Sequence, residues 1–439
     1  MTNTAGAVRQ YVETLSDAER KKFRKYAIFS SWFGCFGDIL QDNSAILMLF
    51  FLALGGGNVL AMLQTGFPGL VSIFLLIPAS GLVAKFGPAK IIRNSCVISL
   101  VSYLLMATAP WLGDFGKYWV AFWCLVYCSS RIFWSSAWYP LLTYILLPEE
   151  RGAFFGILRF SYYIITGSVF FVVGLLMGED PPIWFLQIVL ACVGLLAWGR
   201  WIFIKKIRLP DDTRESVVYD LKGAFAISIR NAPLVMFSTY TCFVMVAYAA
   251  VSPLALLYLK QVLNCGSNVV QIVSTVTIAG NVTGFILFAF FLKKLGMKRL
   301  QIITHFFFIL IPLCLFFCGT ATPYVVWVIA ALLFFGNIAW AANSASTSSE
   351  MLALAKPGNA TMATAFCQTY QQLGMAAGRT GTSLLLGGGI LAAQWELKGL
   401  DVTSFQSIFL ICAVLAAFLL TLLFCLPSVV PRHEDYYNP

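Results

Sequence analysis

Runs of twenty or more residues with almost no charge recur along nearly the whole chain, and they leave few architectures open. A membrane-spanning helix needs about 20 apolar residues, so this chain has room for about a dozen. Only 11% of its 439 residues are charged and 59% are hydrophobic, whereas soluble domains are about a quarter charged. Inside hydrocarbon each backbone N–H and C=O must find a partner within the protein, which favours helices. The expected class is therefore all-α, with the lipid bilayer as solvent. A net charge of +10, taken by itself, would suit a nucleic-acid partner. The basic residues instead gather in short loops between apolar runs, where they set topology, so no nucleic-acid partner is expected.

The apolar pattern predicts twelve spans, near 27–53, 60–84, 89–110, 118–147, 153–177, 182–204, 232–259, 267–292, 299–319, 323–349, 360–392 and 403–427. Pro68, Pro78, Pro140, Pro253 and Pro312 fall inside them, which membrane helices tolerate when neighbours satisfy the freed backbone groups. Residues 1–25 form a polar leading segment with no apolar stretch of signal-peptide type. Within it Ser16 and Glu19 fit a capping box opening a short basic helix from Ser16 to Tyr26. The remaining divisions are a first bundle over 26–205, a charged central loop over 206–230, a second bundle over 231–428 and a tail over 429–439. The central loop should hold a surface helix, with Asp211 or Asp212 near its cap and Val217, Val218, Leu221 and Phe225 on one face.

Loop charge orients the chain. Of 29 Lys and Arg residues, Lys117, Lys260 and Lys398 fall on one set of loops, and Arg131, Arg159 and Arg379 lie inside spans. The other 23 fall on the N-terminus and every second loop after it, which predicts cytoplasmic termini. Eleven of the twelve cysteines fall in or beside spans, with Cys265 near an outer loop. That is no disulfide framework; they read as small buried apolar residues.

The halves echo each other. The loop after span two runs Ala84-Lys85-Phe86-Gly87-Pro88-Ala89-Lys90, and the loop after span eight runs Lys293-Lys294-Leu295-Gly296-Met297-Lys298-Arg299, their glycines 209 residues apart. The loops after spans four and ten carry Gly152 and Gly358, 206 apart. Two matches at nearly one offset indicate an internal duplication.

Twelve spans, a central loop and basic glycine turns after spans two and eight together resemble the major facilitator superfamily. The resemblance covers nearly the whole chain. It implies two pseudo-symmetric six-helix bundles rocking about a midplane site. The family's turn after span two carries an acid and an arginine between two glycines. Here Ser80, Ala84, Lys85 and Gly87 occupy those positions, and Lys293 takes the acid position in the second half. The acid is missing from both turns. Span four keeps the buried arginine of many proton-coupled members, in Ser129-Ser130-Arg131-Ile132-Phe133. Span five has Gly156, Gly167 and Gly174 but no interior proline. The absence of the antiporters' glycine-proline kink favours symport over drug efflux.

Charges inside the membrane are costly and face a protein interior or an aqueous path. Asp38 and Asp42 are four apart, hence on one helix face, and Arg131 lies mid-span in helix four. The three are the candidate coupling residues. Two close carboxylates favour a shared proton, and Arg131 can pair with either or hold a substrate anion. A fixed bridge pinning helix one to helix four is the plainer alternative. Candidate substrate contacts, besides Arg131, are Tyr127, Trp134 and Trp138 on span four, Tyr240 and Tyr248 on span seven, and Asn337, Trp340 and Asn343 on span ten. Gln368, Gln372 and Arg379 on span eleven complete the set. Lys85, Gly87, Lys90 and Gly296 belong to the gating loops, and Glu350 should cap or bridge near Lys356 at the inner gate. Arg159 should snorkel to the interface. His305 and His433 have no partner motif.

The expected function is secondary active transport of a small polar solute, such as a sugar or an organic anion, across the cytoplasmic (in bacteria, inner) membrane. Proton-coupled symport by a monomer is favoured. Multidrug/proton antiport, sodium-coupled symport and lipid flipping remain alternatives. No cofactor and no metal are expected, the coupling ion being H+ or Na+. No HExxH, GxSxG, P-loop or Rossmann fingerprint sits in a suitable context, so an enzyme is not expected.

Overall fold

The computed structural model describes residues 11–12, 14–147, 150–209, 221–356, 359–397 and 400–425. Asp211, Asp212, Val217, Val218, Gly358, Lys398 and the 429–439 tail lie outside them. Among the described residues the helices make up twelve spans in two six-helix bundles. Span one opens on the expected capping box. The Ser16 hydroxyl accepts from the Glu19 N–H, and the Glu19 carboxylate accepts from the Ser16 N–H. No separate basic helix exists there, however. The helix runs unbroken from Asp17 to Asp42, because nothing between Lys25 and Ala27 interrupts it. It then breaks, and Ile46–Ala53 continues at an angle of 54°.

Spans two to six are Gly57–Phe86, Pro88–Ala107, Gly116–Thr143, Arg151–Met177 and Ile183–Lys205. Span seven is also broken, into Ala232–Tyr248 and Val251–Gln261. Spans eight and nine run through Ser267–Phe317 with a single turn at Gly296. Spans ten to twelve are Val325–Ala353, Ala360–Gly387 and Ser404–Cys425. Among the described residues nine helices are long and apolar enough to cross a bilayer by themselves, and the bent pair of span one makes a tenth. The other two, spans four and eleven, are those that carry Arg131 and Arg379. They cross because their polar faces turn into the protein.

The duplication is visible in the backbone. Gly87 has φ 81° and ψ 148°, and Gly296 has φ 73° and ψ 166°. Both angles lie where a Cβ is strained, so each turn demands glycine. Two features depart from the sequence expectations. Between spans eleven and twelve, Gln394–Leu397 pairs antiparallel with Leu400–Thr403 in a small hairpin. In the central segment, Leu221–Ile229 is helical but docks on the second bundle. The Asn359 amide donates to the Ala224 carbonyl at 3.1 Å and to the Ser228 hydroxyl at 3.0 Å, and Phe225 packs on Phe366.

The bundles meet chiefly along spans two and eleven and along spans five and eight. Hydrogen bonds between them gather on the side away from the termini. The Ser383 hydroxyl donates to the Val59 carbonyl at 2.7 Å, and the Ser267 N–H donates to the Glu179 carbonyl at 2.7 Å. The far side is therefore closed. Span two approaches span eleven through Gly69, where an added Cβ would stand 2.8 Å from the Gln372 carbonyl oxygen and 2.9 Å from the Ala376 nitrogen. Both neighbours are backbone and cannot rotate aside. Gly69→Ala should lower the thermal midpoint of the detergent-solubilised protein, in line with about 1–3 kcal/mol for overpacking. Gly381→Ala, where a Cβ meets nothing within 4 Å, should leave it unchanged.

Candidate functional site

Asp38 and Asp42 occupy successive turns of span one, just before its break. The Tyr127 hydroxyl donates to Asp38 Oδ1 at 2.9 Å, Arg131 Nε lies 3.3 Å from the same oxygen, and Arg200 Nη2 donates to Asp38 Oδ2 at 3.1 Å. Arg131 grips Asp42 with both terminal nitrogens, Nη1 at 2.9 Å and Nη2 at 2.5 Å. Such a bidentate fork is the strongest form of the pairing. The result is a four-member chain, Arg200–Asp38–Arg131–Asp42, in which two positive charges balance two negative ones.

Arg200 was not legible as a site residue. It stands close enough to Lys205 and Lys206 to be counted with the basic loop, yet it lies inside span six and is buried. Its guanidinium stacks 4.0 Å over Trp134, which in turn stacks on Trp138 at 5.1 Å. Gly34 makes the space: a Cβ there would collide with the guanidinium. The available signal was position, since Arg200 falls several residues inside the apolar run 182–204.

The network lines a cavity of ≈ 260 Å³ walled by spans one, four, five and six, with Trp134, Trp138, Arg159 and Tyr163 among its residues. A second, smaller cavity of ≈ 50 Å³ lies between the bundles. Asp42 and Asn43 line both. The smaller one sits between the breaks of spans one and seven, lined by Ser44 from one and by Tyr248, Ala249, Ser252 and Pro253 from the other. Each break borrows a side chain to satisfy its backbone. Gln271 of span eight accepts from the Ala45 N–H at 3.1 Å and from the Ser44 hydroxyl at 3.0 Å. Pro253 has no N–H to offer the Ala249 carbonyl, and Arg379 Nε donates to that carbonyl at 3.1 Å instead. Arg379 Nη1 also donates to the Thr65 carbonyl of span two at 2.6 Å.

Other candidates distribute unevenly. Tyr248, Asn337, Trp340 and Arg379 line the small cavity, and Trp134 and Trp138 the large one. Tyr127 stands outside both cavities and spends its hydroxyl on Asp38. Tyr240 and Asn343 stand outside both cavities. The Tyr240 hydroxyl is instead 2.6 Å from His305 Nε2, while His305 Nδ1 donates to the Gln301 carbonyl at 2.7 Å. His305 is thus a buried tertiary contact rather than a peripheral residue. Gln368 and Gln372 also stand outside both cavities, because span eleven at that level packs on spans two and seven. Arg159 does not snorkel away; it lines the large cavity and lies 5.4 Å from the Phe285 ring. Glu350 makes no bridge to Lys356: it is buried, with Oε1 unpartnered. Lys85 and Lys90 are exposed and cover the Phe86 ring at 5.4 and 5.3 Å. Among the described residues no group of three His, Cys, Asp or Glu is placed to hold a metal ion.

The chain of charges makes a test of coupling. Asp38→Asn leaves the buried Arg200 guanidinium facing a neutral group, and breaking a buried pair from one side costs about 3–5 kcal/mol. Its thermal midpoint should fall well below that of the double variant Asp38→Asn/Arg200→Met. If the double variant melts no higher than the single, the two side chains do not act as a pair.

Comparison with known proteins bears on the whole chain. No curated protein sequence matches it. Among solved structures it resembles the nucleoside transporter NupG, at 15% identity over 93% of this chain and 98% of that one, with a TM-score of 0.67. It resembles a D-xylose-proton symporter at 13% identity over 92% and 97%, with a TM-score of 0.71. A bacterial homologue of the iron transporter ferroportin, in an inward-facing state, matches at 12% identity over 92% and 98%, with a TM-score of 0.64. The family model described as Major Facilitator Superfamily matches residues 32–378. The protein is a multi-pass membrane transporter rather than an enzyme, and it belongs to the Major Facilitator Superfamily.

Proposed function

We propose that the protein is a proton-coupled symporter that carries a small polar solute across the cell membrane by alternating access, with cytoplasmic termini. The observation that carries this reading is the position of Asp42. It is held by Arg131, lies at the break of span one, and lines both cavities. Ionised, Asp42 occupies the guanidinium. Protonated, it gives up the charge that holds Arg131, and the freed fork turns to an acceptor on the solute. Proton and solute then load together. Asp38 keeps its own counter-charge in Arg200 throughout, so the switch is confined to one of the two acids.

The closed far side supports a carrier open toward its termini, which the excess of Lys and Arg in the loops on that side assigns to the cytoplasm. Structural likeness to a D-xylose-proton symporter and a nucleoside transporter supports a polar, ring-sized solute. The aromatic wall of Trp134, Trp138, Phe155 and Tyr163 supports a second reading, exchange of a flat amphipathic compound for protons. Direction of movement separates the two.

Proteoliposome uptake of sugars, nucleosides and organic acids, with and without an imposed pH gradient, tests the proposal. Accumulation should require the gradient and should not follow sodium. Asp42→Asn should equilibrate solute down its gradient without accumulating it. A charge swap, Asp42→Arg with Arg131→Asp, should remain inactive; restored accumulation would reduce the pair to a static bridge.

A further inference from the structure

The carrier reading leaves the solute's charge open, and the inference drawn here rests on that reading and narrows it. Arg131 and Arg200 each sit against a carboxylate. Arg379 does not. It is 7% exposed, and among the described residues it has no ion-pair partner. Its Nε and Nη1 are spent on the Ala249 and Thr65 carbonyls, which are dipoles and leave the charge unmatched. Nη2 makes no hydrogen bond among the described residues. Asp42 lines the same cavity, but both its oxygens are engaged by Arg131.

One further feature of that cavity favours negative charge. The N-terminal end of Val251–Gln261 opens on it through Ala249, Ser252 and Pro253, and a helix N-terminus carries partial positive charge. Arg159, another membrane arginine without a carboxylate partner among the described residues, differs in setting. It is only half-buried, in the larger cavity, where water can match it.

We propose that Arg379 is the specificity-determining residue of the carrier, and that it receives the anionic group of the transported solute between the two helix breaks. At ≈ 50 Å³ the small cavity takes a carboxylate-sized head group, not a whole molecule. The rest of the solute extends past Asp42 and Asn43 into the larger cavity, toward Trp134 and Trp138. Pro253 has a defined part in this. By leaving the Ala249 carbonyl without its helical donor, it anchors Nε and aims the remaining edge of the guanidinium at the solute.

The test uses matched acids and neutral analogues: D-glucuronate with D-glucose, nicotinate with nicotinamide, benzoate with benzamide. Binding to the purified full-length protein is read by thermal shift and tryptophan fluorescence, and transport by proteoliposome uptake. At least one acid should bind and be carried in preference to its neutral partner. Arg379→Gln should weaken binding of that acid about tenfold or more, the scale of a lost charge-assisted hydrogen bond. Pro253→Ala gives the Ala249 carbonyl an N–H donor and favours a continuous helix, so it keeps the test alive if Arg379→Gln fails to fold. It too should weaken the acid, by a smaller factor. Equal binding of acid and neutral partner, an acid preference that survives both variants, or binding of no acid at all overturns the assignment. If neutral solutes are still accumulated, the symport reading stands without it; if wild-type protein carries nothing, the symport reading falls instead.

Discussion

A backbone carbonyl or amide stranded in hydrocarbon is costly, and two helices of this protein strand theirs by breaking at mid-membrane. Span one breaks after Asp42 and span seven after Tyr248. Each break is repaired from elsewhere: Gln271 reaches the first from the opposite bundle, and Arg379 reaches the second while also holding Thr65 of the first bundle. For span one, satisfying the break and closing the far side are thus the same event. The molecule cannot separate its bundles there without finding new partners for these groups.

The acids and arginines of the first bundle solve a different problem. Asp38 has three donors around it, Arg200, Arg131 and Tyr127, whereas among the described residues Asp42 is bonded by Arg131 alone. The two carboxylates are therefore unequal although one helix presents both on one face. Asp38 is built into the bundle, with Arg200 fixed between Trp134 and the surface of Gly34. Asp42 stands at the rim of both cavities and has one hold to lose.

How far the sequence revealed this follows from the range of each interaction. The spans and their loops were legible because hydrophobic length and loop charge are local properties. The glycine turns were legible because Gly87 and Gly296 answer a local backbone demand. Asp38, Asp42 and Arg131 stood out as charges in apolar runs. Arg200 did not, because a basic loop follows it closely enough to absorb it. The break of span one was hidden, since Asn43 and Ser44 read equally well as polar residues of a continuous helix. Tyr240 was misplaced for a tertiary reason: its hydroxyl goes to His305, 65 positions away. The docking of Leu221–Ile229 on the second bundle was equally out of reach, as it depends on Asn359.

The glycine seam between spans two and eleven has a kinetic consequence. At Gly66 and Gly69 the backbone of span two comes close to the backbone of span eleven, at Thr380, Gln372 and Ala376. Smooth surfaces roll without repacking, so the seam itself should add little to the activation barrier of each turnover. The resistance is concentrated at a few discrete clasps, Ser383 on the Val59 carbonyl and Arg379 on that of Thr65. A hinge of this kind opens by letting go of a small number of hydrogen bonds, and its speed is set by how fast those few let go.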